Sequence, residues 1–263
     1  MSPALVRSEV HKIRSIRLWW GLLIGAVLFT GLSALATAAT AGTPPGPGQP
    51  PSPGLGTAES IRATYAGAMF SGTYIFAMIL GITGMTGEYR YQTITPTFLA
   101  SPGRARVVAA KMVAHLGVGI GYAVAGLVSA LAFGGTTILV RGGRLGLDAE
   151  RLWSSVALAA LAVALWTLLG IGIGTLIRNQ VAAILIAVFV TFLVEPLATY
   201  FFGLADRDDV VKWLPTNASA AMASPGDSFL DYLDWWAGGL VLLGYALVLA
   251  GLGVRLSVRR DVT

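Results

Sequence analysis

The chain has 263 residues, 55% of them hydrophobic and only 12% charged, with a mean hydropathy of +0.72, where an ordinary soluble domain carries roughly twice that share of charge. The absence of cysteine removes disulfides, thiolate nucleophiles and cysteine-ligated zinc. The net charge of +5 does not read as a nucleic-acid surface, because the basic residues flank apolar runs and never form one long stripe.

The chain opens with "ALVRSEVHKIRSIRLWW", in which Leu5, Val6, Val10, Ile13 and Ile16 recur at helical spacing while Arg7, Lys12 and Arg14 fill the remaining positions. This is the pattern of an amphipathic helix lying in a membrane interface, expected over residues 1–17. A first apolar span follows at 18–39. It is too long for a cleaved signal peptide, and Trp19 and Trp20 mark its entry from the interface. Residues 43–56, "TPPGPGQPPSPGLG", hold six prolines and predict an extended or disordered linker loop. The second span is expected at 61–85.

Residues 87–111, "GEYRYQTITPTFLASPGRARVVAAK", form the most polar internal stretch. Gly84 and Gly87 can break the helix as it leaves the membrane, Glu88 then suits a new helix N-terminus, and Pro96 stops it. A separate helix over 87–95, about two and a half turns and roughly 13 Å long, is expected. So short a helix is marginal alone in water, so something must hold it. Physics alone leaves two readings open: an interfacial hairpin on lipid headgroups, with Arg104, Arg106 and Lys111 snorkelling, or a small knob that docks into a separate subunit.

Further spans are expected at 112–140, 152–177, 181–202 and 235–254, each about the 20 residues that cross a bilayer. The fifth is interrupted by Glu195 and Pro196. Intramembrane carboxylates are functional candidates by default, so Glu195 either caps a helix or meets water at a re-entrant break, or touches substrate or a proton. His115, in the third span, is either packed and hydrogen-bonded or a proton switch. With His11 the only other histidine, no histidine metal site can be assembled within one chain. "DRDD" at 206–209 reads as a solvated turn, and "NAS" at 217–219 as an acceptor sequon of little weight. Three pairs of glycines four apart, Gly21 and Gly25, Gly117 and Gly121, Gly170 and Gly174, are expected to pack helices within one protomer.

An even number of spans puts both ends on one side. With both ends inside, 12 Lys and Arg lie on the cytoplasmic side against 6 outside, so the positive-inside rule predicts a plasma-membrane protein with cytoplasmic termini. The fold class expected is an all-α membrane protein with six transmembrane helices, organised as a single transmembrane domain over 1–263.

The stretch from Gly87 onward resembles the cytoplasmic loop of type-2 ABC transporter permeases, through Glu88, Tyr89, Arg90, Thr93, Ile94, Pro102, Arg104 and Lys111. The six-span plan, the basic N-terminal segment and the broken fifth span extend the resemblance over nearly the whole chain. It implies that residues 87–95 are a coupling helix, with Glu88, Tyr89, Arg90, Tyr91, Thr93 and Ile94 contacting a nucleotide-binding subunit. It also implies that the interfacial helix, carrying Arg7, Lys12, Ile13 and Arg14, helps transmit motion.

No "GxxxxGK[ST]" occurs, so this chain lacks the cradle that holds ATP phosphates. The resemblance implies two copies of a separate ABC ATPase subunit binding ATP and magnesium, and a homodimer or paired permease in membrane lipid. The function it implies is export of a hydrophobic or amphipathic substrate: a drug, lipid, peptide or natural product. The alternative is an ATP-independent, proton-coupled carrier or channel using Glu195 and perhaps His115. An integral-membrane enzyme is disfavoured because no triad, metal cluster or repeated acidic motif is visible.

Overall fold

The computed structural model describes residues 3–44, 52–93, 104–223 and 233–260, and among these it is all-helical. The order is α1 (Pro3–Ser15), α2 (Leu18–Thr40), α3 (Ala58–Arg90), α4 (Ala105–Val140), α5 (Leu152–Leu176), α6 (Gln180–Leu204), α7 (Asp208–Val211), α8 (Pro215–Ala223) and α9 (Trp235–Arg260). Six of these, α2 to α6 and α9, are long and apolar enough to cross a membrane. Helices are the natural outcome here, since each satisfies its own backbone hydrogen bonds where lipid offers none.

The bundle has a centre and a periphery. Of the apolar stretches, 72% of α5 and 67% of α3 is buried, against 22–28% for α2, α6 and α9. α5 is therefore the hub, packed on α3, α4 and α9, while α2 lies on α3 and α4. Side chains alone do not set the α3–α5 contact. A Cβ on Gly81 would lie 2.1 Å from the Thr167 carbonyl, and one on Gly170 2.1 Å from that of Met78, so the two backbones touch. Beside this contact Trp166 is fully buried, with Tyr74 edge-on at 4.8 Å. Of the three glycine pairs, Gly170 and Gly174 pack against α3, whereas Gly21, Gly117 and Gly121 meet nothing within 4 Å.

The structure moves several expected boundaries. α3 does not break at Gly84 or Gly87 but runs on to Arg90, so residues 87–90 are its last turn. It ends in a Schellman-type cap: Gln92 takes a left-handed φ of 55°, and the Thr93 N–H donates to the Glu88 carbonyl at 2.9 Å. The remainder of the expected 87–95 helix, from Ile94 on, lies outside the described residues, as do Pro96, Pro102 and part of the 43–56 loop. α4 starts at Ala105 instead of residue 112, which places Lys111 inside a helix.

Nor is the fifth span severed at Glu195 and Pro196. The missing Pro196 N–H and its ring clash are absorbed by a π-helical turn, Val190–Val194, and the helix continues to Leu204. The chain folds back afterwards, when α8 returns to the level of Glu195 and packs on α5 and α9.

Candidate functional site, a charged joint at the terminal face

α1, the end of α3, the start of α4, the α5–α6 turn and the C-terminal part of α9 share one face of the bundle, here the terminal face. On it α1 lies across α4, held by Ile13 against Ala114 and Tyr122, with the Tyr122 hydroxyl donating to the Trp19 carbonyl.

Beneath α1 four charged side chains close into a ring. Lys12 Nζ lies 2.7 Å from Glu9 Oε1 and 2.8 Å from Glu88 Oε1; Lys111 Nζ lies 3.1 Å from Glu88 Oε1 and pairs with Glu9 Oε2. Two carboxylates and two ammoniums alternate, so the ring is formally neutral and joins α1, α3 and α4. Glu9 is 1% exposed, Lys111 2% and Glu88 5%. Charges so deeply buried persist only when paired and hydrogen-bonded.

Electrostatics explains the arrangement of each member. Burial pushes the Glu9 carboxyl up, but the Lys111 ammonium and hydrogen bonds from Lys111 and Lys12 outweigh it, holding Glu9 below its ordinary 4.5. Burial lowers Lys12, and its hydrogen bonds to Glu88 and Glu9 more than restore it, above 10.5. Glu88 sits in the last turn of α3, where the helix dipole disfavours an anion. Two ammoniums on its Oε1 offset that penalty, the reverse of the N-terminal placement expected from the sequence.

His115 lies one turn along α4 from Lys111, fully buried, and donates from Nδ1 to the Lys111 carbonyl at 2.9 Å. Its ring occupies the space left by Gly84, where a Cβ would come 2.1 Å from Nε2. Gly84 is thus a steric necessity and not a helix breaker. Glu88 Oε2 and His115 Nε2 have no hydrogen-bond partner among the described residues.

The other sequence candidates fall outside the ring. Ile13 is buried on the underside of α1, while Arg7 and Arg14 are exposed. Tyr89 is half-buried with the Arg178 guanidinium 5.2 Å from its ring centre, and Arg90, Tyr91 and Thr93 are exposed beyond the ring. Arg90 reaches Gln180 at 3.5 Å and lies 5.7 Å from the Tyr91 ring centre, so the α3 end and the α5–α6 turn form one basic, aromatic surface.

Glu195 and His115 are not brought together. Glu195 Oε2 accepts from the Thr216 N–H at 2.8 Å and its hydroxyl at 2.5 Å, capping the N-terminus of α8. Asn217 is buried and donates to Thr199 Oγ1 and the Val211 carbonyl, so it is no exposed sequon. Asp206 to Asp209 form an exposed turn in which Arg207 pairs with Asp209 at 3.1 Å.

Sequence reasoning missed Glu9. It sits with Val6, Val10 and Ile13 on the apolar stripe of α1, and an acid on the buried side of an amphipathic helix was the available signal.

A hub-and-periphery bundle of six apolar helices, with an amphipathic helix pinned to one end, defines a multi-pass membrane protein. The model for ABC-2 family transporter proteins matches residues 5–194, and the chain belongs to that family. No curated protein matches it. The matched stretch contains all four ring residues and stops one residue short of Glu195. The chain is accordingly a transport permease, a membrane component that is not itself catalytic, of a kind that generally pairs with ATPase subunits.

Proposed function

We propose that this permease is the membrane half of an ATP-driven exporter whose joint converts ATPase motion into helix motion. Two copies enclose a path for an amphipathic or hydrophobic cargo, and two separate subunits hold ATP and magnesium. Each ATPase subunit grips the surface formed by Arg90, Tyr91, Gln92 and Thr93, with Arg178 beside it. A push there reaches α3 directly, and the Glu9–Lys12–Glu88–Lys111 ring carries it into α1 and α4. That ring is the observation that carries the reading, because among the described residues it is the one place where three helices are cross-linked by buried charge next to an exposed segment.

Cytoplasmic termini follow from the same picture and are supported by the 12 to 6 excess of Lys and Arg. Two of the six on the sparse side have structural work to do. Arg141 donates to the Ala38 and Ala41 carbonyls at the end of α2, and Arg62 to the Glu150 carbonyl. Glu195, engaged as a helix cap, gives no support to a proton-coupled carrier.

The test is reconstitution of the permease with its ATPase in proteoliposomes. Arg90→Ala leaves the ring intact and is expected to keep ATP hydrolysis while reducing cargo movement at least tenfold. Glu88→Ala is expected to do the same at a cost in stability. Full transport by Arg90→Ala and by Glu88→Ala with the ATPase still bound, or transport without any ATPase, would refute the proposal.

A further inference from the structure

A cavity of about 880 Å³ opens beside the ring, between α2 and the last turn of α3. Its origin lies in how those helices cross. Along their length they touch: a Cβ on Gly72 would come 2.5 Å from the Thr30 Cα, and one on Gly25 2.6 Å from the Phe76 ring. Toward the terminal face they part, and Gly21 on α2 and Gly87 on α3 both line the gap with nothing within 4 Å of a Cβ position. Two absent side chains therefore keep a wedge open.

The lining of the wedge is graded. Ile16, Leu18 and Trp20 are 39%, 41% and 47% exposed and contribute apolar surface. Among the described lining residues the ring supplies four charges that cancel, which leaves Arg17 and Arg90, both exposed, as an excess of two positive charges. Arg17 stands at the elbow between α1, which lies along the interface, and α2, which enters the membrane just before Trp19 and Trp20. That elbow is at headgroup depth. An apolar wedge with a cationic rim at this depth matches an acyl chain below an anionic head, and its volume is within the range of specific ligand sites.

We propose that this wedge is a binding site for one anionic phospholipid of the leaflet in which α1 lies. An acyl chain occupies the space between Gly21 and Gly87, and the phosphate meets Arg17 at the rim. A lipid held there fills the gap between α2 and α3 directly beside the joint.

The experiment uses the purified full chain in detergent, without ATPase or nucleotide, so that its result is independent of the transport mechanism. Native mass spectrometry follows retention of added phosphatidylglycerol, phosphatidylcholine and inorganic phosphate. Phosphatidylglycerol is expected to bind at one per chain and at least tenfold more tightly than phosphatidylcholine, with phosphate alone not competing. Gly21→Leu and Gly87→Leu, at positions where a Cβ meets nothing within 4 Å, are each expected to lower its retention at least tenfold. Arg17→Gln removes one interfacial charge and is expected to reduce the preference about fivefold. Equal retention of both lipids, unchanged retention in both leucine variants, competition by phosphate alone, or a leucine variant that alters only the oligomeric state would overturn the proposal.

Discussion

Two carboxylates are buried toward opposite ends of the bundle, and they are satisfied in different ways. Glu88 is met by ammoniums from two other helices, Lys12 of α1 and Lys111 of α4, and the same lysines also hold Glu9. Glu195 is met by one hydroxyl and one backbone N–H at the start of α8. The first arrangement cross-links three elements, and removing one member strands a buried charge. The second is a local cap, and any acceptor oxygen in its place can serve. The difference separates a cross-link among three helices from a staple that positions one short helix.

The comparison breaks most sharply at Lys111. Lys111→Met leaves two buried carboxylates sharing one ammonium, and is expected to cost about 3–5 kcal/mol, read as a large drop in the thermal midpoint of the purified protein. Adding Glu9→Gln to that variant should recover part of the loss, because the stranded charge goes with it. A loss that is purely additive in the double variant would show that the ring does not act as a unit.

A smaller and more local effect is expected on the other side. Glu195→Ala should cost about 0.5–2 kcal/mol, with faster hydrogen exchange in Pro215–Ala223 and little change in α1 or α4. Glu195→Gln keeps an acceptor and should behave nearly as the parent. If Glu195→Gln loosens the terminal face as much as α8, the two regions are not independent.

The pH dependence is the finest discriminator. Glu9 is held below its ordinary 4.5, so its contribution to stability is present above that value and is lost as pH falls through its lowered one. Lys12 is raised above 10.5, so its contribution is present below 10.5 and is lost as pH rises through its raised value. The acid limb of the thermal-stability profile should therefore shrink in Glu9→Gln. Arg207→Gln, which breaks the exposed pair with Asp209, should leave the profile within about 0.5 kcal/mol of the parent.

What could be read from the residues differed between the two ends. The lipid-crossing helices were visible because each expected span is a run of apolar residues with at most one charge, a property of composition alone. The helix over residues 87–95 was misread at its start, because Gly84 and Gly87 carry the local signature of a break. Gly84 is instead required by the ring of His115 on a neighbouring helix, a contact no local window contains. Pro196 gave the right location for an irregularity, but a π turn absorbed it, since neighbouring turns can widen to accept a missing N–H.

By itself the sequence determined the all-helical class, the number of crossings and the amphipathic character of the first segment, because these follow from hydrophobic periodicity and from the charge bias of short loops. Tertiary structure alone decided that Glu9, Lys12, Glu88 and Lys111 meet. Those four residues come from three segments as far apart as residues 9 and 111, and burial costs too much for Glu9, Glu88 or Lys111 without the others. Their pairing exists only once α1 lies across α4 and the end of α3 reaches them both.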